Sequence, residues 1–543
     1  MKKILLGNEA IIKGALASGV SFVSGYPGCP SAEIGDGFAK IAKENNAYSE
    51  WSTNEKVALE AAIGASFSGV RSLVNMKSFG INVCADSLLP LAYTGVKAGM
   101  VIVVADDPSC WSSAQTEQNS KGYADLSHIP MLEPSDPQEC YDFTKLGFEI
   151  SEKFNIPVIL HTNTRVNHQK MPVEFEEVKN AQVKGNFVKN PHQFTTMPPR
   201  VMEMKKELLE KIGKIKQFAE KSEVNNITGN TPRGTSKNKV GIIASGVSYL
   251  HALEAIETLG LDLPILKLGF FYPLPEKKIK TFIKGLKKVL VVEELDGYIE
   301  KEINILAKGV NPKLEVFGKN VLPEIGELST DKICTALSKV TGKKFAEFKV
   351  KQLDLPRRTA RLCEGCPYWY VFPVLKRIAP EAIFAGDIGC NMIAGLAPHN
   401  MQDTLFSMGA SLGISHGIKK VSDQKVISIM GDGTFFHAGI PALINTVYNK
   451  SNPLLIVLDN RITAMTGHQN NPGMGKTSMG EDTQELRIEE IAKACGVKNI
   501  KVLDPIDMKD LEATVKEFLE KDEVSLIVCK RICALLAKRQ KNA

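Results

Sequence analysis

The sequence predicts an α/β protein built around doubly wound parallel sheets. Short apolar runs that read as strands, such as Val20–Gly25 and Ser72–Met76, alternate with amphipathic stretches that read as helices. Runs that are apolar throughout indicate strands buried on both faces, as in a parallel sheet covered by helices. The alternation recurs in three stretches of the 543 residues, so we expect three α/β domains.

The first predicted domain spans residues 1–166, and residues 167–237, rich in Pro, Lys and Asn, predict a linker with one helix. A smaller α/β domain is expected at 238–345. The third, at 346–543, resembles the first in size and alternation. Two doubly wound domains in one chain favour a ligand site in the cleft between them, at the carboxyl ends of the strands. The remaining predicted strands are Met100–Ala105, Pro157–His161, Val240–Ser245, Pro264–Lys267, Val289–Glu293, Leu314–Phe317, Ala382–Ala385, Lys425–Met430, Pro453–Asp459, Ile500–Leu503 and Ser525–Cys529.

Charge and composition argue against several classes of protein. The net charge of +6 is small and the lysines are scattered, so we expect no nucleic-acid partner. No apolar stretch approaches the roughly 20 residues of a membrane span, and the run Ile4–Leu6 is too short for a signal peptide. We therefore expect a cytoplasmic protein that does not bind a membrane, in which the eleven cysteines are free thiols.

One close cysteine pair, Cys363 and Cys366, stands in a Cys-Glu-Gly-Cys run. An iron–sulfur cluster or structural zinc site needs about four ligands, usually supplied by a second such pair, and the sequence has no second pair. We expect the pair to form a structural or active-site loop, with cluster ligation as the alternative.

The strongest local signal is Gly431-Asp432-Gly433 at the end of a predicted strand. The glycines let the backbone turn sharply and approach a ligand, while Asp432 presents a carboxylate. After 26 intervening residues, Asn460 follows the next strand of the same βαβ unit. A simple turn is the alternative interpretation, and the position of Asn460 argues against it.

Asp432, Asn460 and a backbone carbonyl just beyond would supply three hard oxygen ligands to one Mg²⁺. The helix that follows Gly433 would direct its positive end at the same anion. This spacing resembles the thiamine-diphosphate motif, in which diphosphate oxygens complete the metal sphere. By that resemblance the third protein ligand is the carbonyl of Ile462.

Thiamine enzymes also need a carboxylate against the aminopyrimidine ring, where it promotes the tautomer that activates the thiazolium carbon. The N-terminal run Glu50–Ser66 offers two candidates, Glu55 and Glu60, on different faces of a predicted helix. A solvated helix position is the alternative for both, and it is the preferred interpretation for Glu60.

Six segments carry a specific family resemblance: Gly25–Ser31, Trp51–Glu60, Tyr93–Gly95, Val103–Pro108, Pro130–Ser135 and Gly431–His437. Together they are similar to the large (alpha) subunit of indolepyruvate:ferredoxin oxidoreductase, of the 2-oxoacid:acceptor oxidoreductases, over nearly the whole chain. The resemblance implies a pyrimidine-binding domain at 1–166, a transketolase C-terminal-like domain at 238–345 and a diphosphate-binding domain at 346–543.

The resemblance also implies roles for individual residues. Glu55 would be the activating glutamate, and Cys29 stands where relatives commonly have a threonine that faces the substrate. Residues 386–391 resemble a segment that lies against the diphosphate and thiazolium, with a surface turn as the alternative. The residues expected to bind the cofactor are Gly431, Asp432, Gly433, Thr434, Gly389, Cys390, Asn391, Met465 and Thr466.

The implied activity is oxidative decarboxylation of an arylpyruvate or related 2-oxo acid to an acyl-CoA. Electrons would pass to ferredoxin or another cluster protein, and coenzyme A would take the acyl group. The implied partners are a small beta subunit of the same family and a second copy of the large subunit.

The sequence departs from the family in two respects. It ends at Ala543, where relatives continue into a domain with two [4Fe–4S] clusters, and neither Cys529 nor Cys533 has the neighbours of such a motif. Clusters are therefore expected on a partner, unless the chain was shortened or the reaction is not oxidative. Relatives also have hydroxyl and imidazole groups where Cys29 and Trp111 stand, and Cys-Pro-His-Arg where Cys366-Pro-Tyr-Trp369 stands. For Cys29 the alternative to a substrate contact is a buried apolar residue, and for Trp111 it is core or interface packing.

Two other hypotheses compete with this activity. The first is a non-oxidative thiamine lyase or carboligase that uses a 2-oxo acid or acyl-CoA. The second is a non-catalytic scaffold subunit, which the presence of Glu55, Asp432 and Asn460 disfavours.

Overall fold

The computed structural model describes residues 1–176, 184–229, 239–346, 354–356 and 358–542. Its contacts divide the chain into two compact units, Met1–Gln352 and Leu353–Ala543. Both are mixed α/β structures with parallel sheets, which confirms the predicted fold class. Among the described residues, no helix is long and apolar enough to cross a bilayer.

The first unit contains three sheets. In chain order, its strands are β1 Lys2–Leu6, β2 Phe22–Gly25, β3 Tyr48–Trp51, β4 Ser72–Lys77, β5 Met100–Asp106, β6 Met131–Leu132, β7 Val158–Asn163, β8 Lys170–Glu174, β9 Ile227–Thr228, β10 Val240–Ser245, β11 Ile265–Leu268, β12 Phe270–Tyr272, β13 Lys288–Val292 and β14 Glu315–Phe317. Its helices are α1 Gly7–Ala17, α2 Ala32–Ile41, α3 Glu55–Phe67, α4 Ser78–Thr94, α5 Gly122–Ser127, α6 Pro137–Phe154, α7 Thr164–His168, α8 Pro191–Phe194, α9 Arg200–Lys221, α10 Val247–Leu259, α11 Glu276–Ile283, α12 Tyr298–Val310 and α13 Thr330–Thr341.

The largest sheet has seven strands in the order β12-β6-β7-β5-β4-β2-β3. All neighbours are parallel except β12, which runs antiparallel to β6. Strands β4, β5 and β7 are buried along their whole length, as expected for a sheet covered on both faces. The carboxyl ends of β2, β4, β5 and β7 therefore meet at one edge, where a doubly wound sheet binds its ligands.

The second sheet has the order β14-β13-β10-β11-β9, and β9 is its one antiparallel member. A core of apolar side chains from β10, α10 and α13 covers one face of it. Between the two large sheets in sequence, β8 pairs with β1, and α9 packs against α4. Strand β12 belongs by sequence to the second sheet's segment but completes the first sheet.

The second unit is built on one parallel sheet, in the order β15-β16-β17-β19-β18. Apolar cores cover both faces of this sheet. Its strands are β15 Ile383–Ala385, β16 Val426–Gly431, β17 Leu454–Asp459, β18 Asn499–Leu503 and β19 Ser525–Lys530. Its helices are α14 Tyr368–Ile378, α15 Ala410–Val421, α16 Asp432–Thr434, α17 Ile440–Tyr448, α18 Ile488–Ala494, α19 Met508–Phe518 and α20 Ala534–Asn542.

Each of the strand-like runs predicted from the sequence overlaps a strand of the structure. The strands that the sequence did not predict are short or lie at edges, such as β3, β6 and β12. The predicted domain limit between residues 237 and 238 falls outside the described ranges. The limit between residues 345 and 346 lies just before residues 347–353, which are also outside them.

Candidate active site

The Gly-Asp-Gly run of the second unit lies where β16 ends and α16 begins. A wide π-type turn, Phe435–Gly439, joins α16 to α17, and such turns are frequent at functional sites. Strand β17 runs beside β16 in parallel, with Leu458 opposite Gly431. Asn460 therefore emerges beside Asp432, as the spacing predicted.

Asn460 opens a tight turn. Its Oδ1 accepts a hydrogen bond from the backbone N–H of Ile462 at 3.1 Å, and Arg461 between them has a φ of 68°. The turn brings Thr463 back toward the glycines, because a Cβ at Gly433 would lie 3.0 Å from its Oγ1. Because Gly433 has no side chain, a ligand could approach the backbone of α16 closely at this position.

Asp432 is buried and its Oδ2 accepts a hydrogen bond from Nδ2 of Asn471 at 2.9 Å. Burial, and the nearby carboxylate of Asp459, raise the pKa of Asp432 to about 7. Two buried carboxylates at one edge of a sheet repel each other and an anionic ligand. A cation that lies between the carboxylates and the ligand would stabilise all three. This environment fits Mg²⁺ with Asp432, Asn460 and the Ile462 carbonyl as ligands.

Residues 386–391 form a partly buried loop against the Gly-Asp-Gly turn. Asp387 accepts hydrogen bonds from the backbone N–H groups of Ile388, Gly409 and Ser411. Nδ2 of Asn391 donates to the carbonyls of Asp387 and Ile429. The segment is therefore not a surface turn.

Two contacts join this loop to the turn. Oγ1 of Thr434 donates to the carbonyl of Ile388 at 3.0 Å. A Cβ at Gly431 would lie 3.9 Å from Oδ1 of Asn391. Gly389 has a φ of 131°, which glycine adopts without strain, just before Cys390. The structure thus brings together most of the residues expected at the diphosphate.

Met465 and Thr466 lie in the loop after Asn460. Oγ1 of Thr466 donates to Oε1 of Gln469 in the same loop at 2.6 Å, and the Met465 side chain is exposed in this structure. Their part in cofactor binding stays a prediction.

The close pair Cys363 and Cys366 has two cysteines that are distant in sequence, Cys390 and Cys533, as neighbours in the second unit. Burial raises the pKa of Cys390 to about 12, with further contributions from Cys366, Cys533, Cys363 and Asp432. The backbone N–H of Cys533 donates to the carbonyl of Asn460 at 3.0 Å. Gly365, which lies between Cys363 and Cys366, packs against Ala534, the residue after Cys533. The sequence failed to predict this grouping, because its third and fourth members are isolated cysteines.

Four thiols in one region match the donor type and number that a [4Fe–4S] cluster uses. Such a cluster is held by four thiolates, each bound to a different iron, so its ligands stand further apart than those of a single metal ion. The donor set therefore fits a cluster, and Cys363, Cys366, Cys390 and Cys533 are the candidate ligands.

In the first unit, Glu55 begins α3, the helix that the sequence predicted, and three residues separate it from the end of β3. Asn54 caps the helix by accepting a hydrogen bond from the N–H of Val57 at 2.9 Å. Glu55 is buried and packs against Gly80 of α4, where a Cβ would lie 2.6 Å from its Cγ. Glu60 lies on the surface, paired with Lys56 and hydrogen-bonded to Ser87, which agrees with a solvated position.

The loop that carries Cys29 follows β2 and is fastened by two buried amides. Nδ2 of Asn8 donates to the carbonyl of Pro30, and Nδ2 of Asn75 donates to that of Ser31. Burial and nearby acidic groups, first Glu33, raise the pKa of the Cys29 thiol. Cys29 is therefore a neutral thiol that is half-buried, neither a thiolate nor a fully buried apolar residue.

Lys77, which the sequence did not single out, lies beside this loop at the end of β4. A Cβ at Gly28 would lie 2.7 Å from the Lys77 Cβ. Its Nζ donates to the carbonyl of Ser112 at 2.9 Å and lies 3.9 Å from Oδ2 of Asp107. A buried cation thus lies at the carboxyl edge of the sheet, close to Cys29.

Trp111 is 69% exposed, and its Nε1 donates to Oε2 of Glu327 at 2.9 Å. Within this chain it therefore lies on the surface and not in the core.

Three family models match successive parts of the chain. Residues 13–224 match the thiamine-diphosphate-binding domain of pyruvate flavodoxin/ferredoxin oxidoreductase. Residues 230–344 match the indolepyruvate oxidoreductase domain, and residues 387–529 match the C-terminal thiamine-pyrophosphate-binding domain of thiamine pyrophosphate enzymes. The chain thus carries two thiamine-diphosphate-binding domains.

The chain is similar to archaeal proteins over nearly its whole length. It is 44% identical to the indolepyruvate oxidoreductase subunit IorA of Methanothermobacter marburgensis, over 98% of this chain and 87% of that protein. It is 38% identical to the IorA subunit of Archaeoglobus fulgidus, over 100% of this chain and 88% of that protein.

Among solved structures, the 2-oxoglutarate:ferredoxin oxidoreductase of Magnetococcus marinus shares the fold. Its TM-score is 0.50 at 16% identity, covering 62% of this chain and 65% of that one. The identity and coverage shared with the archaeal proteins, together with the three matching domains, show that the chain belongs to the indolepyruvate oxidoreductase subunit IorA family.

Proposed function

We propose that this chain is the catalytic subunit of an enzyme that oxidatively decarboxylates an arylpyruvate of the indolepyruvate type to an acyl-CoA. The relatives named indolepyruvate oxidoreductase subunits support the substrate class. The observation that carries the proposal is the grouping of four cysteines beside the Gly-Asp-Gly turn, where the N–H of Cys533 donates to the carbonyl of Asn460 at 3.0 Å.

Residues 346–543 would bind the diphosphate through Mg²⁺. Asp432, Asn460 and the Ile462 carbonyl would hold the ion, and Gly431, Gly433 and Thr434 would face the phosphates. The first peptide N–H groups of the helix that starts at Asp432 would face the same anion. Asn471, by donating to Asp432, would fix the carboxylate in its ligating orientation.

Residues 1–166 would bind the pyrimidine. Thiamine diphosphate, when bound, supplies a thiazolium carbon that serves as an electron sink for decarboxylation. Glu55 would share a proton with the ring nitrogen, and Gly80 leaves the space that its side chain occupies. The segment 238–345 would serve as the transketolase C-terminal-like domain.

The four thiols favour oxidation over the non-oxidative lyase or carboligase alternative. A cluster held by them would take up electrons one at a time at the diphosphate end of the site. Electrons would then pass to a ferredoxin-type acceptor on another chain, with a small beta subunit and a second large subunit as partners. Coenzyme A would remove the acyl group.

The test is an anaerobic assay of the chain co-expressed with its small subunit. We expect indolepyruvate to drive reduction of methyl viologen only when coenzyme A is present. Formation of an aldehyde or a condensation product without any acceptor would instead support a lyase. Iron and sulfide analysis of the same preparation should give about four of each per large subunit from the thiols named above, and Cys390→Ser should lower both.

A further inference from the structure

We propose that Lys77 is a positioning residue that binds the carboxylate of the 2-oxo acid. The proposal rests on the function proposed above and adds to it the group that orients the substrate. It is carried by a buried ammonium group at the carboxyl edge of the seven-stranded sheet, beside the loop of Cys29.

The position of Lys77 is suited to a ligand. It ends β4 and directly precedes α4, whose third residue is Gly80, against which Glu55 packs. Its aliphatic stem lies under Gly28, and its Nζ lies 5.3 Å from the centre of the Phe79 ring. Lys77 and Glu55 therefore both lie at the start of α4, and a molecule held by Lys77 would lie near the pyrimidine side of the cofactor.

The ammonium group has hydrogen-bonding capacity to spare. Within the described ranges its Nζ makes one hydrogen bond, to the Ser112 carbonyl, so two N–H groups remain for a ligand. Its side chain is 11% exposed. Burial lowers the pKa of Lys77, and the charge of Asp107 only partly opposes this. An incoming anion would supply the missing compensation.

Asp107 attracts Lys77 across 3.9 Å but does not form a hydrogen bond with it, because the oxygens of Asp107 accept from other donors. Oδ2 accepts from the N–H and Oγ of Ser112 and from Oγ of Ser113, and Oδ1 accepts from Oγ1 of Thr164. At 3.9 Å it is beyond hydrogen-bond distance from Nζ. Asp107 thus steadies the Ser112–Ser113 loop beside Lys77 and takes none of the remaining N–H groups of the ammonium.

Two other cations near this edge are already paired. Arg165 contacts Glu327, and His168 lies 3.4 Å from Glu33. Each of these carboxylates would have to be displaced before a substrate could bind. Lys77 is therefore the better candidate for recognising a carboxylate beside Cys29, whose neutral thiol can donate a weak hydrogen bond to the keto oxygen.

The test compares Lys77→Met, which keeps the length and removes the charge, with Lys77→Arg, which keeps the charge. In the complex with its small subunit, Lys77→Met should raise KM for indolepyruvate about 10- to 100-fold, the range of a lost charged hydrogen bond. Lys77→Arg should recover most of this loss. Thiamine diphosphate affinity, measured by calorimetry, should be unchanged in both variants.

A second readout does not depend on turnover. Indole-3-propionate and its primary amide have nearly the same size and shape, but the amide is neutral and has NH2 in place of one carboxylate oxygen, so calorimetry on the loaded complex measures recognition of the carboxylate. We expect the native protein to prefer the acid and Lys77→Met to lose that preference. An unchanged preference together with a native KM would overturn the proposal.

Failure of the proposed function would look different, because the native protein would not turn over indolepyruvate but would still distinguish acid from amide. If Lys77→Met lost cofactor binding or had a lowered Tm, the acid-over-amide preference of Lys77→Arg would test the proposal instead. Loss of the preference for the acid in that charged and folded variant would also count against Lys77.

Discussion

Lys121 is a buried cation that holds carboxylates from two segments of the first unit. Its side chain is 1% exposed, and its Nζ lies 2.9 Å from Oε1 of Glu133. The carboxylates of Glu293 and Glu294, which follow β13, also interact electrostatically with Lys121. Lys121→Met keeps the length of the side chain and removes the charge, so these three buried carboxylates lose their shared counter-ion.

The cost can be worked out from this burial. Removing one partner of a buried ion pair destabilises a protein by about 3–5 kcal/mol. The entropy of unfolding is about 2.1 cal/mol/K per residue, which for Met1–Gln352 gives about 0.74 kcal/mol/K. The quotient is a fall in Tm of about 4–7 °C. His161, whose Nδ1 lies 3.4 Å from Glu133, favours the lower half of this range.

Differential scanning calorimetry of the full chain would measure the shift in the transition of the first unit. The double variant Lys121→Met with Glu133→Gln should recover part of the loss, since it removes the stranded charge along with its partner. Lys2→Met, which breaks an exposed pair with Glu174, is the control and should change stability by less than about 0.5 kcal/mol. A native Tm in Lys121→Met would refute the argument from burial.

Three further substitutions and one pH effect follow from the structure. Glu55→Gln should lower turnover at least about 100-fold while thiamine diphosphate still binds; undiminished turnover would exclude Glu55 as the activating group. Asp432→Ala should abolish Mg²⁺-dependent cofactor binding in calorimetry, and native affinity there would remove Asp432 from the metal site. Gly80→Ala should displace Glu55, because the new Cβ would lie 2.6 Å from its Cγ, and slow turnover less than Glu55→Gln with little change in Tm. Although burial opposes both charges, Asp106 and Glu133 raise the pKa of His161 to about 9, and Lys121 and His161 lower that of Glu133 to about 2. Their contribution to stability should be greatest between about pH 4.5 and 6.5, declining as pH rises through 9 or falls toward 2, and denaturant titrations across pH that give a flat profile would contradict it.

The predictability of the strands followed their burial. The interior strands, such as β4, β5, β16 and β17, are buried on both faces and appear as continuous apolar runs. Strand β3, which reads Tyr-Ser-Glu-Trp, lies at an edge and carries polar side chains that hide its pattern. Strands β6 and β12 have two and three residues, too few for any periodicity to be recognised.

From spacing alone, the site was predictable only where its residues share one βαβ unit, whereas residues 389–391 were expected from the family resemblance. Asp432 and Asn460 could be placed together because the carboxyl ends of neighbouring parallel strands must meet. Asn471 reaches Asp432 from a loop of irregular structure, and Cys533 reaches Asn460 after a further strand. Contacts of that kind depend on the tertiary path of the chain, which no local spacing encodes.

The antiparallel pairing of β12 with β6 has a consequence for folding during translation, because β12 is synthesised long after the rest of its sheet. While the ribosome is still making the residues before Phe270, the N-terminal layer presents an open hydrogen-bonding margin at β6, to which another nascent chain could anneal. The same dependence on β12 applies when the N-terminal domain is produced as a separate fragment. A fragment that stops at residue 166 would lack its last strand, whereas one that runs through Tyr272 would carry its own closing piece.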